Sequence, residues 1–313
     1  MISSRAIVIL AALALGRGAL PARAQQVSDP DFAPRIAHPA YATGAGPVVL
    51  LDEAHYNFHT TDGRYAPFVA LLRADGYVVR GSRAPFAATS LREARVLVIA
   101  NALAERNRMN GNATDWSLPT PSAFTADEIA AVREWVRGGG SLLLIADHMP
   151  FGGAAVDLAA ALGAHFSNAF AFDGQVGNGL IVFRRSDGSL RDHAITGGRS
   201  PDERVDSVAA FTGQAFTADA EPLMVMGPAV VGFLPQTAWQ FTAETPRESV
   251  AGRFQGAARR FGAGRVAFFG EAAMFSAQVA GPNRQPMGMN APIAGQNQQF
   301  ALNALHWLSG LLN

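Results

Sequence analysis

Ionisable and amide side chains collect immediately beyond four apolar runs of this chain. Asp52, Glu53, His55, Asn57 and His59 follow the run at 47–51, with Tyr56 and Phe58 between them. Asn101 follows 95–100, Asp147 and His148 follow 141–146, and Glu271 follows 265–269. His55 and His59 stand four apart, so on a helix they would share a face and could chelate one ion. His148 would add a third nitrogen, and a carboxylate such as Asp147 or Glu271 an oxygen donor or a general base. Mixed nitrogen and oxygen donors suit zinc or another divalent ion, which would activate a water without Cys, Ser or Lys. The expected metal ligands are therefore His55, His59 and His148. The expected catalytic groups are Asp147, His148 and Glu271, and the expected ligand-binding groups are Asp52, Glu53, Asn57, Asn101 and Phe151. No Glu directly follows His55, so the metalloprotease helix motif is absent.

Each of these residues also has a plainer use. An Asp after a strand is often a helix N-cap, and a lone strand-end His is often a loop hydrogen-bonder. His165, His193 and His306 read as structural. The density of His and Asp at neighbouring strand ends is what favours a site. In a binding module, the same edge would hold a saccharide or peptide by hydrogen bonds, with Tyr56, Phe58, Phe151 and Phe275 giving apolar contact. A structural role in an envelope complex is a third possibility.

The elements that must position these groups follow from patterning. Runs at 47–52, 95–100 and 141–147 are continuous and apolar, as in parallel strands buried on both faces. A shorter strand is expected at 77–80. Helical spacing at Phe68, Leu71 and Leu72 predicts a helix over 65–75. Thr125 and Glu128 form a capping box with Phe124 and Ile129 as staple, opening a helix that Gly138, Gly139 and Gly140 end. Further helices are expected at 154–162 and 298–312. Strand alternating with helix predicts a doubly wound, mostly parallel α/β sheet with right-handed crossovers. Residues 168–260 read as a β-rich, antiparallel extension, and 254–269 as a hairpin turning at Gly262-Ala263-Gly264. In such sheets ligands bind outside the carboxyl ends of the strands, where the polar groups collect.

Composition removes several chemistries. The 313 residues carry no net charge and no cysteine, and all 25 basic residues are arginine. Thiol catalysis, Schiff-base or pyridoxal-phosphate chemistry and a lysine phosphate loop are excluded. No basic field is present to attract nucleic acid. No Gly-rich fingerprint follows a strand, so neither NAD nor ATP is expected. Residues 1–24 have the charged, apolar and Ala-x-Ala parts of a signal peptide, predicting a mature chain from Gln25 in the periplasm or outside the cell, without a membrane span. Residues 25–46 read as an extended lead-in, and 47–313 as one α/β domain.

The capped helix, the strand to Asp147 and the turn His148-Met149-Pro150-Phe151-Gly152-Gly153 resemble the class I glutamine amidotransferase-like superfamily, which has a flavodoxin-like fold. Asp52-Glu53-Ala54-His55-Tyr56-Asn57-Phe58-His59, Gly264-Arg265-Val266, Gly270-Glu271-Ala272-Ala273-Met274-Phe275 and Asn297-Gln298-Gln299-Phe300 with Asn303 and Trp307 look like a bacterial branch related to the auxiliary domains of gliding-type ABC transporters. The resemblance covers roughly 47–311 and implies the fold. Asp147-His148-Met149 stands where the superfamily carries its cysteine elbow, so amidotransferase activity is not implied.

Overall fold

The computed structural model describes residues 26–110, 114–174 and 179–313. The signal-peptide expectation for 1–24 lies outside these residues. A seven-stranded sheet forms the centre. Its strands are β1 (Val48–Asp52), β2 (Val78–Ser82), β3 (Val96–Ala100), β4 (Ser141–Ile145), β5 (Glu221–Val225), β6 (Phe254–Phe261) and β7 (Gly264–Phe269). They lie in the order β5-β6-β7-β4-β3-β1-β2. The five strands β2, β1, β3, β4 and β7 are parallel neighbours. The β6–β7 hairpin and β5 extend one edge antiparallel. This is a flavodoxin-like α/β architecture, in which the direction of strand addition across the sheet reverses between β1 and β3.

Strand alternation assigns the two core layers. Val98, Leu143, Ile145, Ala267 and Phe269 face one layer with Phe68, Leu71 and Leu72 of α1 (Ala66–Ala74) and Phe300, Leu305 and Leu308 of α4 (Asn297–Ser309). Leu97, Ile99, Leu142, Leu144, Val266 and Phe268 face the other, against Val132 and Val136 of α2 (Ala126–Arg137) and Leu158 of α3 (Phe151–Ala161). Both faces of β3 and β4 are therefore covered, which is why those runs are continuously apolar.

The capping box is formed as expected: the Glu128 N–H donates to Thr125 Oγ1, and the Thr125 N–H donates to Glu128 Oε2. Two of the boundaries that differ from the sequence reading have a clear physical cause. Helix α4 ends at Ser309 because Gly310 takes φ +89°, and the following N–H groups turn back to the His306 and Trp307 carbonyls. Helix α3 begins three residues early, at Phe151, and includes Gly152 and Gly153. A Cβ on Gly152 would stand 2.1 Å from the Ser167 carbonyl oxygen. These glycines serve close approach, not a turn.

The 168–260 region contains a three-stranded antiparallel sheet (Phe170–Asp173, Val230–Phe233, Arg247–Ser249) and the pair Ile181–Arg184 with Ser207–Ala210. The lead-in is more than extended chain: Val27–Ser28 pairs with Ala277–Ala280. No helix among the described residues is long and apolar enough to cross a membrane.

Candidate functional site

The polar groups do gather at the carboxyl edge of the sheet, but in three separate arrangements. The first surrounds β1. Both Asp52 oxygens lie 2.9 Å from His55 Nδ1, and Glu128 Oε1 lies 2.9 Å from His55 Nε2. Asn57 donates to Asp52 Oδ2 and accepts the His55 N–H. Burial works against charge on His55, but hydrogen bonds and charge from Asp52 and then Glu128 outweigh it and raise its pKa. Burial likewise opposes ionisation of Glu128, yet the Thr125 N–H and His55 hold its carboxyl below the usual value. The α2 cap is thus also the far end of an Asp–His–Glu lock. Glu53 turns away to Thr61 and Arg83.

The second arrangement lies beyond β4 and β7. Asn101, in a left-handed conformation with φ +55°, accepts the Asp147 N–H at 2.9 Å through its side-chain oxygen. Asp147 Oδ1 accepts the His148 N–H at 2.8 Å and stands 3.9 Å from His148 Nε2. Burial pushes the Asp147 carboxyl up to about 7, against the His148 N–H, the Asn101 amide and the Ala272 N–H. Glu271 is pushed well above the carboxylate range by burial and then by the charge of Asp147, although it accepts the Ala273 and Met274 N–H groups. The same two carboxylates, after burial, raise Tyr65, whose hydroxyl donates to the Ala272 carbonyl. After burial, the charge of Asp147 opposes ionisation of Glu271, as neighbouring like charges do.

His148 is held differently. Its Nδ1 donates to the Met149 carbonyl at 2.7 Å, and its ring stacks on Phe170 at 4.2 Å with Trp239 edge-on at 4.7 Å. Burial lowers its pKa to about 4. The imidazole is therefore neutral at pH 7, with an acceptor lone pair on Nε2.

The third arrangement contains His59. Its ring packs on Tyr65 at 4.4 Å, Nε2 meets Gln278 Nε2 at 3.4 Å, and Nδ1 is buried without a partner. Burial and then the charge of Arg64 hold its pKa well below the usual value.

The three histidines expected to bind a metal, His55, His59 and His148, fall in three separate arrangements. Both ring nitrogens of His55 are taken by carboxylates, His148 sits in an aromatic cage, and His59 faces Gln278. No group of three or more His, Cys, Asp or Glu among the described residues is arranged to hold a metal ion. Phe275 is also moved: it lies in the core against Phe68, Phe269 and Phe300, not at the edge.

Loops roof the second arrangement. Segments 115–119 and 236–239 pair through Ser117 with Thr237 and through Trp116 with Ala238. Phe151 contacts Phe58, Trp116 and His148. Trp239 and Tyr56 stay 45% and 44% exposed, with φ of +67° and +46°. Of the four non-glycine residues with positive φ among those described, Tyr56, Asn101 and Trp239 belong to this edge. Such conformations cost about 1–3 kcal/mol and cluster at functional sites. A surface cavity of about 750 Å³ lies at the opposite edge, lined by Arg92, Glu134, Trp135 and Gly138 among others. It contains none of this chemistry.

Sequence reasoning missed Glu128, Tyr65, Gln214 and Trp239. Gln214 is fully buried, donates to the Ala146 carbonyl at 2.8 Å and accepts the Ser167 N–H, tying the extension to the end of β4. Only the capping box marked Glu128, and it signalled a helix start alone.

Comparison with solved structures agrees with this architecture. The mmIFT52 N-terminal domain is similar with a TM-score of 0.54 at 13% identity, over 84% of this chain and 97% of that one. That likeness is one of fold. A protein described as ThuA-like from Bacteroides uniformis reaches 0.45 at 11% identity, over 88% and 94%. One described as a GMP synthase component from Thermoplasma acidophilum reaches 0.40 at 10%, over 85% and 96%. No protein family and no curated protein sequence matches the chain.

Proposed function

We propose that the second arrangement is a hydrolytic acid–base site acting on a small polar molecule: a saccharide, peptide or small amide. One observation carries this reading. A buried carboxyl, Asp147, stands 3.9 Å from the Nε2 acceptor of a neutral imidazole, His148, with a second carboxyl, Glu271, behind it. Environments that separate the proton affinities of adjacent groups are how proteins divide acid and base roles. A water donating one hydrogen to Asp147 and the other to His148 would have its lone pair free for attack, and Asp147 would accept the proton. Glu271, whose carboxyl burial and the Asp147 charge push upward, stands behind the pair. The reading needs no metal, NAD, pyridoxal phosphate or ATP. The signal-peptide pattern supports a periplasmic or secreted setting, with cleavage after Ala24.

The test is hydrolysis of p-nitrophenyl glycosides and aminoacyl p-nitroanilides. General-base catalysis contributes about 10²–10⁴-fold, so Asp147→Asn should lower kcat by at least about 10²-fold, while His55→Gln should retain activity in the folded fraction. Equal rates for wild type and Asp147→Asn would remove the proposal.

A binding module is the second reading, and the exposed rings of Tyr56 and Trp239 at the rim favour it. Saccharide-dependent quenching of Trp239 fluorescence, with no turnover, would be its signature.

A further inference from the structure

Asp147 and His148 are all but closed off. Their side chains are 12% and 8% exposed, too little for a saccharide, peptide or amide to reach the carboxyl and Nε2 together. Part of the cover is Trp239, whose ring stands 4.7 Å from those of His148 and Phe170. Trp239 belongs to residues 234–246, the connection between the paired strands Val230–Phe233 and Arg247–Ser249. Hairpin connections of that length are uncommon without a function.

The loop is fixed at its root and lightly held at its tip. At the root, the Leu234 N–H donates to the Pro246 carbonyl at 2.9 Å, and the Thr242 N–H closes a turn on Thr245 Oγ1 at 2.8 Å. Phe241 seats on Phe170, Phe172 and Phe233. The tip, 236–240, has one buried residue, Ala238. Among the described residues its hydrogen bonds to the rest of the chain are two. The Leu118 N–H donates to the Gln236 carbonyl and the Ala238 N–H to the Trp116 carbonyl, each at 2.9 Å.

The two sides of that contact differ. Trp116 is anchored: its Nε1 donates to the Asn107 carbonyl at 2.9 Å, and its ring packs on Phe58 and Phe151. Trp239 is strained, at φ +67° with 45% of its surface exposed. A bulky residue in that conformation is an energetic outlier, so the closed tip relaxes when the two hydrogen bonds release. Few buried contacts, few hydrogen bonds and local strain mark a segment that opens without the rest of the fold.

We propose that the tip 236–240 is a lid, which turns on the root of its loop to admit substrate to Asp147 and His148 and closes to exclude water. Excluding water is what such closures contribute to a reaction. This deepens the hydrolytic reading and rests on it for the word substrate. The opening itself is tested without turnover.

Ser117 and Thr237 oppose one another as an isolated antiparallel bridge, flanked by the two hydrogen bonds. Opposed residues of that kind have Cα atoms about 4.5 Å apart, within the about 4.4–6.8 Å that a disulfide spans. The chain has no cysteine, so Ser117→Cys with Thr237→Cys places a single latch on the full chain. Diethyl pyrocarbonate, which acylates neutral imidazole, is applied to the reduced and oxidised forms. Mass spectrometry locates the adducts, with the exposed His165 as internal control. His148 should be acylated in the wild-type chain and the reduced variant, and lose its adduct in the oxidised one, with His165 unchanged. Equal acylation of His148 in both forms, or none in wild type, would overturn the lid. Amide exchange of the wild-type chain decides if the variant does not fold. The Leu118 and Ala238 N–H groups should exchange together and ahead of those of β3 and β4, and their exchange only with the sheet would overturn the lid. Absence of hydrolysis while the latch still shields His148 would remove the hydrolytic reading and leave the lid standing.

Discussion

His148 Nε2 stands 3.9 Å from Asp147 Oδ1, too far for a direct hydrogen bond and near enough for one water to bridge. In water an imidazole is the stronger base of the two. Here burial reverses the order, holding Asp147 near 7 and His148 near 4. Around neutral pH the pair is a titrating acid beside a neutral acceptor.

Asp147 should therefore cost the fold stability. Its native pKa lies above its unfolded value of 3.8, so the native state holds the extra proton between the two values. Stability from this group falls as pH rises from about 4 to about 7, and the full penalty persists above that. Asp147→Asn should remove that slope and raise stability at pH 8 by about 1–2 kcal/mol, a few degrees in Tm. Thermal melts of both proteins across that range measure it. An Asn variant less stable than wild type at pH 8 would show that the carboxylate supports the fold.

The Asp52–His55–Glu128 lock carries the same sign of pH dependence on its histidine and the opposite one on Glu128. The folded pKa of His55 is raised, so its contribution is complete below about 6.5 and is lost as pH climbs through the folded value. Glu128 is lowered, so its contribution holds above the ordinary value of 4.5 and is lost as pH falls through the folded one. Glu128→Ala removes a helix cap and half of a buried ion pair together, and should cost about 3 kcal/mol. Chemical denaturation of the variant at pH 6 and pH 9 checks this, and the deficit should shrink at the higher pH.

Trp239 covers His148 from a strained loop position. Trp239→Ala should open the edge and lower any ligand affinity about tenfold, since an exposed aromatic wall contributes on the order of 1–2 kcal/mol. The fold should hold, because nearly half of the ring already faces water. Isothermal titration with the best substrate or saccharide reads the affinity. Unchanged affinity would show the ring to be only a cover.

The sheet was legible because burial on both faces leaves unbroken apolar runs such as 95–100 and 141–146, and the strand-end rule then located the polar edge. Partnership across that edge was not legible. His55 and His59 are four apart, but the segment holding them is a loop, so helical spacing did not apply and their rings diverge. Glu128 sits 73 residues from His55, in a motif that already had a complete local explanation. Tyr65 read as the start of an amphipathic helix, and Arg64 before it carried no reading. Only the fold shows that they border a carboxyl pair and an unpaired imidazole.

Carboxyl ¹³C and imidazole ¹⁵N titration of one labelled sample reads the inverted order of proton affinities at Asp147 and His148. The expected result is an apparent carboxyl midpoint near 7 for Asp147 and a His148 ring that stays neutral down to about pH 4. A carboxyl midpoint near 4 with His148 titrating near 6.5, the ordinary order, would contradict it.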